Sequence, residues 1–206
     1  MTNFYSYVVA RDFGFAPNPF HSVCTLATCK WGIRKSACVN DWIFGTGSKK
    51  YQVEKQLVFA MKISEKISYD QYWSDSRFQL KKPIMNGSLK RMYGDNIYNS
   101  NLYTNDWSQV NSHHSNQDGT INYHNLNRDT KANAVLISNR FYYFGNKSIL
   151  IPNEFSSNIC VLRQGYKLVD ENVALKFIDW LASNYKEGYK GDPLLFNKFS
   201  RYKGIS

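Results

Sequence analysis

The sequence predicts an α+β fold in which a small mixed or barrel-like antiparallel sheet is flanked by helices. Predicted strands and helices do not alternate as they do in βαβ units. A long range, 81–131, shows no regular pattern, and a capped amphipathic helix lies near the end of the chain. The chain has 206 residues, of which 43% are hydrophobic and 16% aromatic, enough for a packed core. No repeat or linker divides it, so we expect a single domain over 1–206.

The N-terminal part supplies the predicted strands of the sheet. Range 4–10 (FYSYVVA) alternates and then becomes apolar, which is typical of a partly buried strand. Trp42–Phe44 and the apolar range 57–63 (LVFAMKI) indicate two more buried strands. Two prolines make Arg11–Phe20 an extended loop. Range 21–39 is expected to form a short helix or an irregular strand.

The middle of the chain combines one predicted helix with a long irregular insertion. Ser68 and Gln71 form the capping-box pattern Ser-x-x-Gln, which predicts a helix over 68–80. Range 81–131 is rich in asparagine but also contains Trp and Tyr residues. Long irregular segments in compact domains are often functional, so we expect this inserted loop region to carry part of a site.

The C-terminal part is predicted to contain a hairpin and a helix. Ala134–Ser138 and Phe141–Phe144 flank a two-residue turn and suggest paired strands. Asp170 is expected to begin a helix that ends at Gly188. The residues that share its apolar face are Val173, Phe177, Trp180, Leu181 and Tyr185.

The charge of the chain favours partners that carry phosphate groups. The formal net charge is +10 and the pI is about 9.4. Enrichment in Asn, Lys, Tyr and Ile is also what AT-biased coding produces, so part of this charge has a compositional explanation. The basic and aromatic tail, 185–203, suits either a single-stranded nucleic acid or a strap whose rings dock on the domain.

No window of the sequence is apolar enough to span a bilayer, so no membrane partner is expected. The first charge, Arg11, follows the N-terminal apolar run rather than preceding it, which is the wrong order for a secretory signal. We therefore expect a cytoplasmic protein.

The four cysteines are expected to be reduced and free of metal. Cys24, Cys29, Cys38 and Cys160 are unevenly spaced, unlike a disulfide framework. A zinc site that adds His21 to the first three is an alternative, but the spacing matches no compact knuckle. Cys24 and Cys29 are also candidate nucleophiles, ranked below the histidines because no adjacent partner able to act as a general base is visible in the sequence.

The candidate catalytic residues are His113, His114 and Asp118. Two of only four histidines in the chain are adjacent here, with a carboxylate close behind. Neighbouring imidazoles and a carboxylate are able to supply a general base and an oriented electrophile near neutral pH. The alternative is a pair of ordinary loop histidines, one buried and one solvated. The pattern indicates no particular cofactor.

A glycine-containing turn is a candidate phosphate site. Gly45–Lys49 (GTGSK) follows a predicted strand, so its backbone amides, with Thr46, Ser48 and Lys49, suggest an anion-binding nest. The spacing matches neither a P-loop nor a dinucleotide fingerprint. A glycine-rich strand end is the alternative.

Arg11, Asp12, Asn18 and Asn96 are the other candidate nucleotide-binding residues. Arginine recognises phosphate or a base edge through two hydrogen bonds, while Asp and Asn match the edges of bases. An ordinary ion pair between Arg11 and Asp12 is the alternative. We predict that Arg11–Phe20, Gly45–Lys49 and Asn96–Asp118 converge on one pocket.

Several uncommon sequence words, in order, resemble the second family of nucleotide-modification-associated domains. The matching words are RDFGFAPNPF (Arg11–Phe20), CTLATCK (Cys24–Lys30), DWIFGTGS (Asp41–Ser48), YWSDSRFQLKK (Tyr72–Lys82), GDNIY (Gly94–Tyr98), SHHS (Ser112–Ser115), Asp118-Gly119 and Ala134–Ser138. The resemblance extends to about residue 160. It implies a bacterial or phage system that modifies bases in nucleic acid, such as DNA, or free nucleotides.

A second resemblance concerns the fold. Asp41–Phe44, the strand 57–63 and the helix beginning at Ser68 are similar to the core of PUA-like domains, including the ASCH and EVE groups. Those domains are small β-barrels, several of which bind modified bases or RNA. Asn40 stands where that group usually has a glycine before the aspartate.

Two hypotheses about function follow. In the first, the protein is an enzyme acting on a base or nucleotide, in which His113, His114 and Asp118 transfer protons while the basic and amide side chains hold the ligand. In the second, it is a PUA-like module that recognises a modified base or nucleotide and catalyses nothing. A module of the second kind needs an aromatic cage but no coupled acid–base pair.

Overall fold

The computed structural model describes residues 2–100, 104, 106–161 and 165–204. Its strands are β1 (Phe4–Val8), β2 (Cys24–Leu26), β3 (Trp42–Thr46), β4 (Gln56–Lys62), β5 (Glu65–Ile67), β6 (Tyr98–Ser100), β7 (Trp107–Gln109), β8 (Val135–Ser138), β9 (Arg140–Tyr143), β10 (Ile149–Leu150), β11 (Tyr166–Leu168) and β12 (Gly188–Tyr189). Its α-helices are α1 (Trp31–Ser36), α2 (Tyr69–Ser74), α3 (Leu89–Met92), α4 (Tyr123–Asp129), α5 (Asn153–Ile159) and α6 (Glu171–Asn184). The strand-rich α+β class predicted from the sequence is confirmed.

The largest sheet is mixed and is buried on both faces. Its order is β11-β1-β3-β4-β9-β12, with β10 also pairing with β4. β1 is parallel to β3 and β12 is parallel to β9, whereas the other pairs are antiparallel. Alternate residues of β1 point to opposite faces, so Phe4 packs with helices α5 and α6 while Tyr5 and Tyr7 pack with α1 and the second sheet.

The strands of the described residues form three sheets, and none of these closes into a barrel. The second sheet has the order β2-β8-β5, and β6 pairs with β7 in a third. The PUA-like barrel is therefore not confirmed. The large sheet instead ends at the short strands β11 and β12, which are hydrogen-bonded on one side only.

The predicted hairpin over 134–144 is wrong. β8 and β9 follow each other with only Asn139 between them, but β8 pairs with β2 and β5 while β9 pairs with β4 and β12. The chain passes from β4 to β5 at the same place, where Ser64 Oγ lies 2.5 Å from Asn139 Oδ1. The chain therefore passes between the first and second sheets twice at this place. Local sequence does not distinguish such a passage from a hairpin.

The two helices predicted from their caps are confirmed, with earlier ends. Ser68 Oγ accepts a hydrogen bond from the Gln71 amide and Gln71 Oε1 accepts one from the Ser68 amide, completing the capping box of α2. A 3-10 helix over 76–81 continues after α2. Asp170 caps α6, which ends before Gly188 because Tyr185 is extended.

The range 81–131 is more regular than predicted, since it contains α3, β6, β7 and α4; residues 101–103 and 105 lie outside the described part. A buried lysine anchors its start, because Lys81 Nζ donates to Asn18 Oδ1 and to the Val23 carbonyl. Burial lowers the pKa of Lys81 to about 8. The described helices include none with the length and apolar character needed to cross a bilayer.

Candidate active site

Cys29, His114 and Asp129 form a connected thiol–imidazole–carboxylate group. Cys29 Sγ lies 3.8 Å from His114 Nε2. On the other side of the imidazole, His114 Nδ1 lies 2.8 Å from Asp129 Oδ2. These are the contacts that a nucleophile, its base and an orienting carboxylate require, and the nucleophile–base distance is often long in the absence of substrate.

Cys29 occupies a tight connection between a strand and a helix. It follows β2 and precedes α1, with φ of 54° at Cys29 and 33° at Lys30. A left-handed backbone costs a non-glycine residue about 1–2 kcal/mol. Unfavourable backbone of this kind persists where the surroundings hold it, and it is frequent at functional sites, as in the strand-to-helix turn of hydrolase nucleophiles.

Arg34 and Asp129 hold this turn through its backbone. The Cys29 amide donates to Asp129 Oδ1 at 2.9 Å, and Arg34 Nε donates to the Cys29 carbonyl at 2.9 Å. The fully buried Arg34 also donates to the carbonyls of Asp129, Ala132 and Ala134. One guanidinium therefore joins the segment of the thiol to the segment of the carboxylate.

Asp129, the last residue of α4, is a buried and ionised carboxylate. Oδ2 accepts from His114 Nδ1 and from the Tyr98 hydroxyl, while Oδ1 accepts from the Cys29 amide and from Arg128 Nε. Burial alone would raise the pKa of Asp129, but the charge and hydrogen bond of His114, with the charge of Arg128, lower it to about 2. Its charge is thus available to stabilise an imidazolium.

The electrostatics favour a thiolate–imidazolium pair. Burial would lower the pKa of His114, but the charges of Asp129 and Cys29 and their hydrogen bonds raise it to about 9. Burial would raise the pKa of the Cys29 thiol, but the charge and hydrogen bond of His114 outweigh burial and lower it below its ordinary value. A lowered thiol pKa is the mark of a reactive cysteine.

His113, the other predicted catalytic histidine, is also buried. Burial and the charge of His114 lower its pKa to about 3, so this imidazole is neutral. His113 Nδ1 lies 2.5 Å from the Ser200 carbonyl, and the ring packs against Phe13 and Phe15. His113 therefore forms part of the wall beside the site, while His114 contacts the thiol.

Asp118, the carboxylate predicted to accompany the histidines, is exposed. It accepts hydrogen bonds from the amide and hydroxyl of Thr120 in a surface turn. The carboxylate that contacts His114 is Asp129 instead. Both follow the histidines closely in sequence, but only Asp129 is directed inward, because α4 places it there.

A cavity of about 1130 Å³ opens beside the thiol, and the three predicted segments contribute to its wall. Residues of Arg11–Phe20, Gly45–Lys49 and Asn96–Asp118 line it, with Lys49 and His113 on the same cavity. The lining includes six cationic side chains and one carboxylate, Glu54; the cations are Arg11, Lys30, Lys35, Lys49, Lys55 and Arg128. This excess of positive over negative side chains in the lining favours an anionic ligand.

The C-terminal tail docks as a strap over the histidines. The Tyr202 amide donates to the His113 carbonyl at 2.7 Å, and the guanidinium carbons of Arg11 and Arg128 lie 5.1 and 5.3 Å from the Tyr202 ring centroid. Arg201 Nη1 donates to the Ser112 carbonyl at 2.6 Å. Of the two interpretations of the tail, the strap is the one present.

The predicted phosphate turn contributes side chains rather than a complete nest. Thr46, Ser48 and Lys49 line the cavity, but the Gly47 amide already donates to the Gln56 carbonyl. Ser48 Oγ accepts from the Lys50 amide and caps a 3-10 helix. The candidate anion contact that remains here is Lys49.

Three of the predicted binding residues lie away from the described cavity. Asp12 accepts from the Tyr143 hydroxyl at 2.5 Å, Asn18 Nδ2 donates to the Tyr93 carbonyl, and Asn96 Nδ2 donates to the Tyr72 carbonyl. All three are buried and none lines the described cavity. Among the predicted residues of the first loop, Arg11 is the one that reaches the cavity.

The model of the family described as nucleotide modification associated domain 2 matches residues 1–200. The chain belongs to this family. No curated protein matches the chain, and no solved structure matches it. The family description associates the domain with nucleotide modification and names no reaction.

The donor set in this family member fits a nucleophile better than a metal. The ligand atoms of Cys29, His114 and Asp129 lie within 4.8 Å of one another. Asp129, however, uses one oxygen on His114 Nδ1 and the other on the Cys29 amide. The atoms left are one sulfur and one ring nitrogen, fewer than the three protein ligands of a catalytic zinc site. All four cysteines are free thiols.

Two members of the connected group in this family member, Cys29 and Asp129, are not marked by the sequence pattern around the histidines. Cys29 has no adjacent base in the sequence, because the imidazole that contacts it, that of His114, lies 85 residues away in the chain. The family word CTLATCK contains Cys29, and that was a usable signal. Asp129 lies beside Arg128 in a helix, where an ordinary surface ion pair is the simpler expectation.

Proposed function

We propose that this protein is an enzyme that modifies a nucleotide, or a base within a nucleic acid strand, through a covalent intermediate on Cys29. The observation that carries the proposal is the continuous contact from Cys29 Sγ through His114 to the buried carboxylate of Asp129. A thiol nucleophile needs a base to take its proton and a third group to orient that base. Each of these groups is present and buried or half-buried.

Each member of the group has a distinct role in this scheme. The Cys29 thiolate attacks an electrophilic carbon of the substrate. His114 holds the thiol proton as an imidazolium and then gives it to the leaving atom. Asp129 fixes the proton on Nδ1, so that Nε2 faces the sulfur, and its negative charge stabilises the imidazolium.

The lining of the cavity supports a phosphate-bearing substrate. Arg11, Lys30, Lys49 and Arg128 lie in the wall together with Cys29. Pockets for small ligands have volumes of roughly 300–1000 Å³. A cavity of about 1130 Å³ therefore has room for a nucleotide and part of a neighbouring group. The family description points to the same class of substrate.

The enzyme hypothesis derived from the sequence assigned proton transfer to His113, His114 and Asp118. The present proposal keeps His114, adds Cys29 as the nucleophile and replaces Asp118 by Asp129. A module that only recognises a modified base has no use for a thiol whose pKa is lowered by an imidazolium. Nor does it need a strained backbone at that cysteine. These features favour catalysis over the PUA-like recognition module.

The test is a screen for conversion with matched cysteine variants. Ribonucleotides, deoxynucleotides and short oligonucleotides are incubated with the protein, products are identified by mass spectrometry, and binding is measured by calorimetry. We expect Cys29→Ala to lower conversion by about three powers of ten or more while binding persists, and Cys38→Ala, at an exposed thiol, to leave conversion unchanged. Conversion at the wild-type rate by Cys29→Ala would contradict the proposal. Binding of a candidate ligand without any conversion by the wild type would favour the recognition module over the enzyme.

A further inference from the structure

The Tyr7 hydroxyl is a buried polar group whose partner is missing. Tyr7, in the middle of β1, has no exposed surface, and its Oη has no hydrogen-bond partner among the described residues. Tyr7 nevertheless belongs to the lining of the cavity that contains Cys29. A buried donor without an acceptor carries a desolvation cost, and such groups are usually paired in proteins. A ligand that enters the cavity is a natural source of the acceptor.

A second donor of the same kind lies next to Tyr7. Lys30 Nζ is 4.3 Å from the centroid of the Tyr7 ring, and its hydrogen bond to the Val8 carbonyl is long, at 3.5 Å. Within the described part of the chain Lys30 forms no ion pair with a carboxylate. Lys30 directly follows Cys29 in sequence, and Tyr7, Cys29 and Lys30 all line the same cavity.

The electrostatics agree with this proximity. Burial raises the pKa of the Tyr7 phenol well above its ordinary value, and the negative charge of Cys29 raises it further. Burial lowers the pKa of Lys30, whereas the charge of Cys29 raises it. The Tyr7 hydroxyl is therefore neutral and able to donate a hydrogen bond, and the pKa of Lys30 depends on the charge of the Cys29 sulfur.

We infer that the Tyr7 hydroxyl and the Lys30 ammonium form the oxyanion site of the Cys29 reaction, and that the reacting group of the substrate is consequently a carbonyl. This inference rests on the proposed function and specifies its substrate class. Donors beside a nucleophile accelerate a reaction when negative charge develops on an atom bonded to the attacked carbon. The carbonyl groups of bases, and amide or ester substituents on them, provide such an atom.

The chemical step balances without any further reagent except water. The sulfur lone pair forms a C–S bond, and the π electrons of the carbonyl move to its oxygen, which Tyr7 and Lys30 stabilise. The electron pair returns as the bond to the leaving atom breaks, and that atom takes the proton of the His114 imidazolium. Water then attacks the thioester with His114 as base, which releases a carboxylic acid and restores the thiol.

Two small reagents separate this role from the reactivity of the thiol itself. p-Nitrophenyl acetate acetylates a thiol through an oxyanion, whereas iodoacetamide alkylates it at a saturated carbon with no oxyanion. The readout is the ratio of the acetylation rate to the alkylation rate at Cys29, measured by peptide mass spectrometry. Changes in the thiolate fraction cancel in this ratio.

We expect Tyr7→Phe to lower the ratio by about 10- to 100-fold and Lys30→Gln to lower it by about tenfold. The matched controls are Tyr5→Phe, which removes a hydroxyl from the same strand, and Lys186→Gln, which removes an exposed cation outside the described cavity. Both are expected to leave the ratio within about twofold of wild type. If Tyr7→Phe does not fold, 3-fluorotyrosine at position 7, a stronger donor, is expected to raise the ratio.

A ratio unchanged by Tyr7→Phe, or by 3-fluorotyrosine where that is used, would overturn the inference and leave the thiol mechanism intact. A Cys29 that neither reagent labels faster than the exposed Cys38 in the wild type would overturn the proposed function, and this inference with it. The two failures are therefore distinguishable in one data set.

Discussion

The two carboxylate oxygens of Asp129 bind different groups, the His114 imidazole and the backbone turn that carries Cys29. Oδ2 lies 2.8 Å from His114 Nδ1, while Oδ1 accepts the Cys29 amide at 2.9 Å. One buried carboxylate therefore sets the orientation of the base and the position of the backbone that carries the thiol. This double contact explains why a strained turn and an ionised carboxylate occur together in the interior of the domain.

Replacement of Asp129 by asparagine is expected to disable the thiol without removing any histidine. The amide cannot stabilise an imidazolium, so the pKa of His114 falls and that of the Cys29 thiol rises. We expect alkylation of Cys29 by iodoacetamide at pH 7 to slow by about tenfold or more, and turnover to fall by about three to four powers of ten. Tyr98→Phe, which removes one neutral hydrogen bond from the same carboxylate, is the control and is expected to slow alkylation far less. Equal effects of the two variants on alkylation would contradict the claim that the negative charge of Asp129 activates the thiol.

The stability of the fold is expected to fall at alkaline pH because of His114. Its pKa is raised from 6.5 to about 9 in the folded protein, so its stabilising contribution is fully present below pH 6.5 and is lost as the pH rises through about 9. Urea unfolding of the wild type should therefore show a decline in the free energy of unfolding between pH 6.5 and 9. His114→Gln is expected to flatten that decline, and an unchanged slope in this variant would show that another group causes it.

Arg34→Met is expected to destabilise the protein by about 2–4 kcal/mol, since it leaves four buried carbonyls without their charged donor. The same substitution at Arg77, whose ion pairs with Glu65 and Asp75 are half-exposed, should cost no more than about 1 kcal/mol. Urea denaturation measures both. A cost for Arg34→Met as small as that for Arg77→Met would mean that the guanidinium does not hold the two segments together.

Lys49→Gln is expected to weaken the binding of a phosphate-bearing ligand, because Lys49 lines the cavity. For a short oligonucleotide we expect a loss of about 3- to 10-fold and a decrease of about one in the slope of log affinity against log salt concentration. Lys186→Gln, at an exposed position outside the described cavity, serves as the control. The basic cavity would lose its assigned role if both variants bound alike in a salt titration.

The predictable parts of the fold were those with local causes. The capping box at Ser68 and the cap at Asp170 gave correct helix starts because the groups that make them lie within three residues of each other. Strand partners were not predictable in this way. β8 and β9 form no hairpin, because each finds its partners more than 40 residues away in the chain.

The residues of the candidate site also differ in whether local sequence could predict them. His114, Arg11 and Lys49 were predicted and do line one cavity, since unusual polar residues in irregular segments are rarely placed by packing alone. Asp118 and Asp129 could not be ranked from the sequence, because the direction of a carboxylate depends on the helix that carries it. Cys29 had no neighbour that marked it as reactive, since the fold supplies its base from a distant segment.

The most direct test of the account is the pH dependence of Cys29 alkylation by iodoacetamide, followed by peptide mass spectrometry in the wild type, His114→Gln and His113→Gln. The imidazolium of His114 lowers the pKa of Cys29, so we predict that the rate in the wild type inflects below pH 9. His113 is neutral, and its replacement should leave that inflection below pH 9. In contrast, His114→Gln should move the inflection above pH 9, because burial and the charge of Asp129, which raise the pKa of Cys29, then outweigh the charge of Arg128, which lowers it. An inflection at or above pH 9 in the wild type, or the same inflection in His114→Gln, would contradict the claim that Cys29 is an activated nucleophile.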